Sequence, residues 1–389
     1  MKKFLPFLAV CILLIGMLAG CGSSSNTGAK ATNSPVTLTI YSVAGGDDYY
    51  KDKLIPMFEK QYAGKYKVQY ARGTWQDVVN KIKAEGSHVN IDVVISGVDG
   101  VPGGAKEGVW EQLYPKYKNE IHYNDLTTIG QAYVKAFNGY GVPLFVSPGG
   151  PMLMYNKDKV KNPPTTYADL KTWITANPNK FMYATVPTSG PARGFYFGLM
   201  QNLGENMTKP DAATKTWDYL KTINKDIQNY PSNTNDTFKY LYDGTLEIVP
   251  QTPGFYAQNY AAGTVPPNVG VVMMSGAKQI MDAHSYVMPK GLPSDHKKAA
   301  LDFINFAMDK KAQSQVFAHI TIPTNKNATV DQLLPEYKDT YKKGVAGYPK
   351  EFIQNGAISV PDGNWILFPD TNAVNQNYQL WQKNIQSLK

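Results

Sequence analysis

Strands and helices alternate along the first part of this chain, and their order limits the folds it can adopt. Residues 36–41 alternate apolar and polar side chains like a strand, and a helical pattern follows from Tyr50. A second strand pattern at 67–70, a helix opened by the capping-box-like residues 74–77, and a third strand pattern at 91–96 complete the order. Such an alternation within about 60 residues predicts a parallel sheet covered by helices.

A similar pattern starts again after residues 141–146, which predicts a second lobe. Residues 152–156 read as a strand, and a capped helix carrying Trp173 follows the prolines at 163–164. Further strand patterns lie at 246–249 and at 269–274. No repeat of solenoid length is visible. The chain length of 389 residues is enough for two ordinary domains.

The start of the chain has the composition of an export signal. Two lysines at 2–3 precede an apolar run at 4–18, and small residues lead to Cys21. A bilayer-spanning helix needs ~20 apolar residues, so this run is too short to span. The pattern resembles the bacterial lipoprotein signal, in which the cysteine is acylated and becomes the first residue of the mature protein.

We therefore expect a lipoprotein signal peptide at 1–20 and a lipid attached to Cys21. A small, polar, flexible tether would occupy 21–35, and the mature protein would lie outside the cytoplasm, held to the cell membrane. Removal of the signal would also remove Cys11, so no disulfide is expected. The alternative is an ordinary signal peptide with an unrelated cysteine.

The charge of the chain argues against nucleic acid as a partner. The formal net charge is +8, but the lysines are spread along helix-like segments and are usually accompanied by Asp or Glu. A nucleic-acid-binding protein would be expected to cluster its positive charge. The lysines are therefore interpreted as a solvated surface.

Five elements, taken in chain order, resemble those of the substrate-binding lipoproteins of bacterial ABC importers. The resemblance is to the extracellular solute-binding group, which includes sugar, polyamine and iron binders. The elements are the motif ending at Cys21, the first strand with its glycine-rich turn, the strand at 92–97, the segment 154–158 with 163–166, and residues 288–291 followed by 299–307.

This resemblance implies an α/β, two-lobed fold like that of the type II periplasmic binding proteins. Each lobe would have a central β-sheet flanked by helices, with the ligand cleft between the lobes. Lobe 1 would comprise 36–146 plus 284–323, and lobe 2 would comprise 147–283 plus 324–389. The tail beyond residue 330, including 367–369, matches no pattern of the family.

The resemblance also implies the partners. These are a small-molecule solute, an ABC permease in the cytoplasmic membrane and membrane lipid through Cys21, with the protein itself a monomer that needs no cofactor. Ferric-iron binders of the family commonly use adjacent tyrosines in the second lobe. The only such pair here, at 49–50, opens the first helix, which argues against iron.

Small and hydroxyl residues follow four of the predicted strands, where ligands bind in open α/β sheets. Each one alone could equally be a turn residue. Together they suggest a binding edge made of Tyr41, Gly45, Gly46, Ser96, Gly97, Asp99, Ser147 and Ser189.

Loop aromatics are the second predicted source of binding energy. Trp75, Tyr256 and Trp365 follow polar or glycine-containing loops and could stack on a sugar ring or a cation. Ordinary packing is the alternative for each. Arg193, just after a Ser-Gly-Pro turn, could meet a carboxylate or a phosphate, or could form a surface ion pair.

An extracellular enzyme is the competing class. The five histidines are isolated from one another, and no zinc, phosphate-loop or nucleophile-elbow motif occurs. A lipid-anchored glycoside hydrolase would need only a carboxylate pair, for which Asp47, Asp48 and Asp99 are the candidates. We expect no enzyme, no metal and no catalytic residue.

The class of solute stays open at this stage. The aromatics with Asp47 and Asp99 suit a sugar or a polyamine, which is the main expectation, whereas Ser189 and Arg193 suit an acidic solute.

Overall fold

The computed structural model describes residues 34–86 and 89–389. The predicted signal peptide, Cys21 and most of the predicted tether lie outside the described residues, as does His88. Residues Pro35–Lys389 form one compact unit. No helix among the described residues is long and apolar enough to cross a membrane.

Twelve strands occur in the described part of the chain. They are β1 (Val36–Ser42), β2 (Tyr66–Arg72), β3 (Val93–Ser96), β4 (Val142–Pro148), β5 (Met152–Asn156), β6 (Ile248–Gln251), β7 (Val269–Met273), β8 (Gln279–Val287), β9 (Ile322–Pro323), β10 (Ile353–Gln354), β11 (Ala357–Ile358) and β12 (Trp365–Leu367).

The same residues contain fourteen α-helices. They are α1 (Asp47–Tyr49), α2 (Ile55–Gln61), α3 (Trp75–Glu85), α4 (Gly100–Lys106), α5 (Thr128–Ala136), α6 (Tyr167–Ala176), α7 (Gly190–Asn202), α8 (Thr214–Asn224), α9 (Thr234–Tyr242), α10 (Pro253–Ala261), α11 (Ser294–Met308), α12 (Lys310–Ser314), α13 (Pro335–Gly347) and α14 (Thr371–Asn384).

The larger sheet confirms the predicted parallel arrangement at its start. Its order is β2-β1-β3-β8-β4-β9, with β12 paired to β8. β1 runs parallel to both β2 and β3. β8 then runs antiparallel to β3 and to β4, so the sheet is mixed.

The smaller sheet has the order β6-β5-β7 and is antiparallel throughout. In antiparallel sheets one face can remain solvated. The strand pattern predicted at 269–274 belongs to this sheet, where β7 is half-buried along most of its length.

The predicted helix start at Thr74 is confirmed in detail. The Thr74 hydroxyl accepts from the Asp77 N–H at 3.2 Å, and the Asp77 carboxylate accepts from the Thr74 N–H at 3.2 Å. Each side chain satisfies a backbone donor that the first turn of α3 leaves free. Val78, Val79 and Ile82 then face the core, as the spacing predicts.

Two large cores lie against the two sheets. One packs around β1, β3, β4 and the end of β8, and the other packs around β5, α6, α7 and α8. The boundaries predicted for the two lobes fall within β4 and within β8, which are continuous strands of the larger sheet. The assignment of 36–146 plus 284–323 and of 147–283 plus 324–389 to two lobes stays a prediction.

Candidate functional site

The end of β4 and the start of β8 place polar side chains on one face of the larger sheet. Ser147 pairs with Asp282 in the antiparallel ladder, and residues directly opposite each other point to the same side. Phe145 and His284 pair on that same face. A pocket of about 180 Å³ lies over Ser147 and Asp282.

Three helices begin at this pocket. Ser189 caps α7 by accepting from the Ala192 N–H at 3.2 Å, and Thr252 caps α10 by accepting from the Phe255 N–H at 3.3 Å. The hydroxyl of Thr234, the first residue of α9, donates to Ser189 at 2.7 Å. Helix N-termini carry partial positive charge and free N–H groups, so their convergence favours a bound anion.

Arg193 brings a full positive charge to the same pocket. It lies in the first turn of α7 and is half-buried, with its guanidinium 3.4 Å from the Pro187 carbonyl oxygen and 5.9 Å from the Phe368 ring centre. Burial opposes its charge, but Tyr378, Asp282 and Asp99 favour it, and the net result raises the pKa of Arg193 above its ordinary value. The guanidinium is therefore charged at every physiological pH.

Asp282 is the acidic member of the pocket. Its carboxylate accepts from the Ala283 N–H at 2.8 Å. Burial raises the pKa of Asp282 above the usual aspartate value, while Arg193 and this hydrogen bond oppose the rise. We call the site formed by Ser147, Arg193, Thr234, Thr252 and Asp282 the Arg193 pocket.

Glycines set the position of α7 against the sheet. A side chain at Gly194 would overlap the carbonyl oxygen of Gly149, and one at Gly149 would lie 2.6 Å from the carbonyl oxygen of Ile280. The Gly149 N–H also donates to that Ile280 oxygen at 2.7 Å. Backbone-to-backbone contact therefore fixes the first turn of α7, and with it Arg193, at the strand ends.

His284 and Tyr50 lie next to the pocket on the same face of β8. The Tyr50 hydroxyl is 3.0 Å from Nδ1 of His284, and the His284 and Phe145 rings are 4.6 Å apart. Burial, followed by the neighbouring His319, lowers the pKa of His284 to about 3. The lowered pKa of His284 indicates a neutral imidazole, which can accept a hydrogen bond from the Tyr50 hydroxyl.

Two of the predicted ligand residues, Ser147 and Arg193, line the Arg193 pocket. Ser189 is almost fully buried and does not line it, and its hydroxyl serves as the cap of α7. Through this cap and its bond to Thr234, Ser189 supports the wall of the pocket.

The other predicted residues at strand ends lie elsewhere around the larger sheet. Gly46 adopts a φ of 87° and faces the His319 ring, and Gly45 before it is exposed. Ser96 is buried and donates to the Gly97 carbonyl oxygen at 3.1 Å. The carbonyl of Asp99 accepts from Thr371 at 2.7 Å, which ties this loop to α14.

The aromatic residues predicted to contact the ligand lie in different parts of the structure. Tyr41 and Trp75 are half-buried and pack against the larger core, where Trp75 covers Gly103. Tyr256 is buried, with its ring 6.0 Å from that of Tyr260. Trp365 lines a different pocket, on the opposite face of β8.

The sequence reasoning missed several members of the Arg193 pocket. Asp282 is the main one, and its available signal was an acidic residue inside the otherwise apolar run 280–283. Thr252 precedes a helical pattern as a capping residue does, and Thr234 directly follows Asn233, the capping residue of α9. Phe368, in the segment 367–369 that matched no pattern, also lines the pocket.

The described residues show no group of His, Cys, Asp and Glu side chains arranged to hold a metal ion. The pocket offers one guanidinium, one carboxylate, hydroxyls and helix N–H groups. This set can bind a small polar molecule by charge and hydrogen bonds.

Solved structures of similar shape define the class. An ABC transporter protein from Clostridium perfringens superposes with a TM-score of 0.67 at 17% identity, covering 90% of this chain and 99% of the other. The spermidine/putrescine substrate-binding protein PotD from Streptococcus pneumoniae gives 0.63 at 18% identity, covering 91% and 99%. AfuA from Actinobacillus pleuropneumoniae, with fructose-6-phosphate bound, gives 0.59 at 17%, covering 90% and 98%.

Such identities show the fold alone, and that fold is the two-lobed α/β architecture of type II periplasmic binding proteins predicted from the sequence. No curated protein matches the sequence significantly. The sequence model of the bacterial extracellular solute-binding proteins matches residues 53–346, which is most of the chain. The chain belongs to this family, and it is an extracytoplasmic solute-binding protein.

Proposed function

We propose that this protein captures a small organic anion in the Arg193 pocket and delivers it to the permease of an ABC importer. The observation that carries the proposal is the half-buried guanidinium of Arg193 among the first turns of α7, α9 and α10. A carboxylate or phosphate placed there would meet both a full positive charge and the partial positive charge at the start of three helices.

The charges of the pocket favour an anion over the sugar or polyamine that was the main expectation. A polyamine needs several carboxylates, whereas Asp282 is the one acidic side chain among the described residues that line this pocket. A neutral sugar would make no use of the positive charge of Arg193 or of the helix N-termini around it. The Asp282 carboxylate can accept a hydrogen bond from one amino or hydroxyl group of the solute. The best fit is therefore an anion that also carries such a donor.

We also infer that the protein binds its solute without chemical conversion. Of the carboxylates considered for a glycoside hydrolase, Asp47 already accepts from Tyr70 at 2.6 Å and from Arg72 at 2.8 Å. A carboxylate that already accepts two hydrogen bonds is a fixed acceptor and not the proton donor that glycoside hydrolysis requires. Release of dye from chromogenic glycosides would contradict this inference.

The attachment to the membrane is part of the proposal. The small residues before Cys21 and the polar stretch after it support a lipid on that cysteine and a flexible tether up to residue 35. The tether would let the binding unit reach a permease in the same membrane.

Arg193→Gln tests the anion site. The variant keeps a polar side chain with an N–H donor but is shorter and has no charge, and a charge-assisted hydrogen bond contributes about 1.5–3 kcal/mol. We expect at least a tenfold loss of affinity for the anion that binds the wild-type protein best. That anion would be found by thermal-shift screening of carboxylates, sugar phosphates, amino acids, polyamines and neutral sugars, and its affinity measured by calorimetry.

Lys60→Gln is the matched control, because it removes one positive charge from an exposed position of α2. It should leave the affinity unchanged. Stabilisation of the wild-type protein by polyamines or neutral sugars alone, with unaltered binding in Arg193→Gln, would show that the proposed solute class is wrong.

A further inference from the structure

A second pocket, of about 550 Å³, lies on the opposite face of the same two strands. Val146 and Met281 form its floor together with Ile322 of β9, and the first two of these are buried. Because side chains alternate along a strand, Val146 and Met281 point away from Ser147 and Asp282. The two pockets therefore share backbone but no side chain.

The rim of this second pocket is polar and its charges balance. Lys326 at one side is exposed, and its ammonium donates to the Asn124 carbonyl oxygen at 2.7 Å. Asp362 at the other side accepts from the Thr128 hydroxyl and from the Trp365 indole N–H, both at 3.4 Å. Hydrogen bonds of that length are weak, so the carboxylate keeps most of its capacity for another donor.

The chemistry of the walls identifies the class of ligand. An apolar floor with a half-buried tryptophan suits a flat hydrophobic face. The rim offers both hydrogen-bond acceptors and hydrogen-bond donors. Hydroxyl groups of a ligand can pair with either, because a hydroxyl group both donates and accepts. The volume is within the usual range for small-molecule sites.

We propose that this pocket, which we call the Trp365 pocket and define by Val146, Met281, Ile322, Lys326, Asp362 and Trp365, binds a neutral hydroxylated ring of the size of a mono- or disaccharide. It is a site separate from the Arg193 pocket and does not depend on what that pocket binds. The predicted ligand role of Trp365 then belongs to this second site.

The test uses the full mature chain with four defined probes: glucose, galactose, N-acetylglucosamine and maltose. Saturation-transfer NMR detects binding, and calorimetry measures the affinity. At least one probe should bind, and Trp365→Ala and Asp362→Asn should each weaken that binding at least tenfold. Arg193→Gln should bind the same probe with unchanged affinity.

Trp173→Ala is the matched control, because it removes another half-buried tryptophan, from α6, outside both pockets. Thermal melts show whether each variant folds. If Trp365→Ala unfolds, the result for Asp362→Asn decides whether the pocket binds the probe. The Asp362 side chain is exposed, so this substitution should not disturb the core. Failure of all four probes to bind at about 10 mM, or binding lost in Arg193→Gln but kept in Asp362→Asn, would overturn the proposal.

Discussion

At the scale of single residues, Arg193 and Asp282 set the electrostatics of the Arg193 pocket. Asp282 offsets part of the arginine's charge, which lowers the attraction for an anion at neutral pH. The same carboxylate has a raised pKa because it is buried, so it takes up a proton at a higher pH than an exposed aspartate. Protonation would leave Arg193 uncompensated.

Anion binding should therefore tighten as the pH falls. Between pH 7 and about pH 4.5 we expect an increase in affinity of up to about tenfold, measured by calorimetry with a sulfonate analogue whose own charge is constant. Asp282→Asn removes the carboxylate at every pH, so its affinity at pH 7 should already be high and should hardly change on acidification.

Asp211→Asn, an exposed aspartate before α8, serves as the control and should keep the wild-type pH profile. An Asp282→Asn variant that binds the anion more weakly at pH 7 would contradict this account. Because the sulfonate probe is chosen without an amino or hydroxyl group that could donate to Asp282, that result would indicate that the carboxylate orients Arg193.

At the scale of secondary structure, helix α7 carries Arg193 and depends on glycine for its position. The close approach of Gly194 to Gly149 leaves no room for a methyl group, and the obstacle is backbone that cannot turn aside. A larger residue at this position has to displace the helix start.

Gly194→Ala should lower the stability of the protein by about 1–3 kcal/mol, as overpacking does, and should weaken anion binding at least tenfold because Arg193 moves. Gly190→Ala is the control in the same helix, since nothing lies within 4 Å of the added methyl group. Thermal melts and calorimetry measure both effects. Equal melting temperatures and affinities for the two variants would show that α7 adapts without cost.

The elements that the sequence predicts best are those with a simple period. β1, β2, β3 and β5 show apolar patterns that survive in the fold, and the cap at Thr74 is visible from its spacing. β8 was not predicted as a strand, because Asp282 and His284 interrupt its apolar pattern. Both side chains face the sheet surface that carries the Arg193 pocket. The apolar pattern that would predict a strand is therefore interrupted where polar side chains line this surface.

At the scale of the whole molecule, the order of elements predicts the fold class, whereas the composition of the site depends on contacts distant in sequence. Ser147 meets Asp282 only through pairing of β4 with β8, and Arg193 reaches them only because α7 packs on Gly149. A single sequence contains no signal for such juxtapositions. Strand-end reasoning identified Ser147 of the Arg193 pocket, and Arg193 was predicted from the turn before it. Trp75, which was predicted as a stacking aromatic, packs against the larger core.

The proposed attachment of the whole molecule to the membrane rests on Cys21. Cys21→Ala should prevent acylation, and the variant should move from the detergent phase to the aqueous phase in a partitioning experiment, with the lipid mass absent by mass spectrometry. Cys11→Ala, inside the segment to be removed, should partition like the wild-type protein. Unchanged partitioning and mass for Cys21→Ala would exclude a lipid on this cysteine.

The alternation of side chains along β4 and β8 has a practical consequence for engineering. Ser147 and Asp282 face one pocket while Val146 and Met281 face the other, so a biosensor designer can mutate one set and keep the second as an internal reference. An insertion of one residue in β8 would instead change both pockets together. It would exchange the two faces of the strand, bring a carboxylate to an apolar floor and disable both pockets at once.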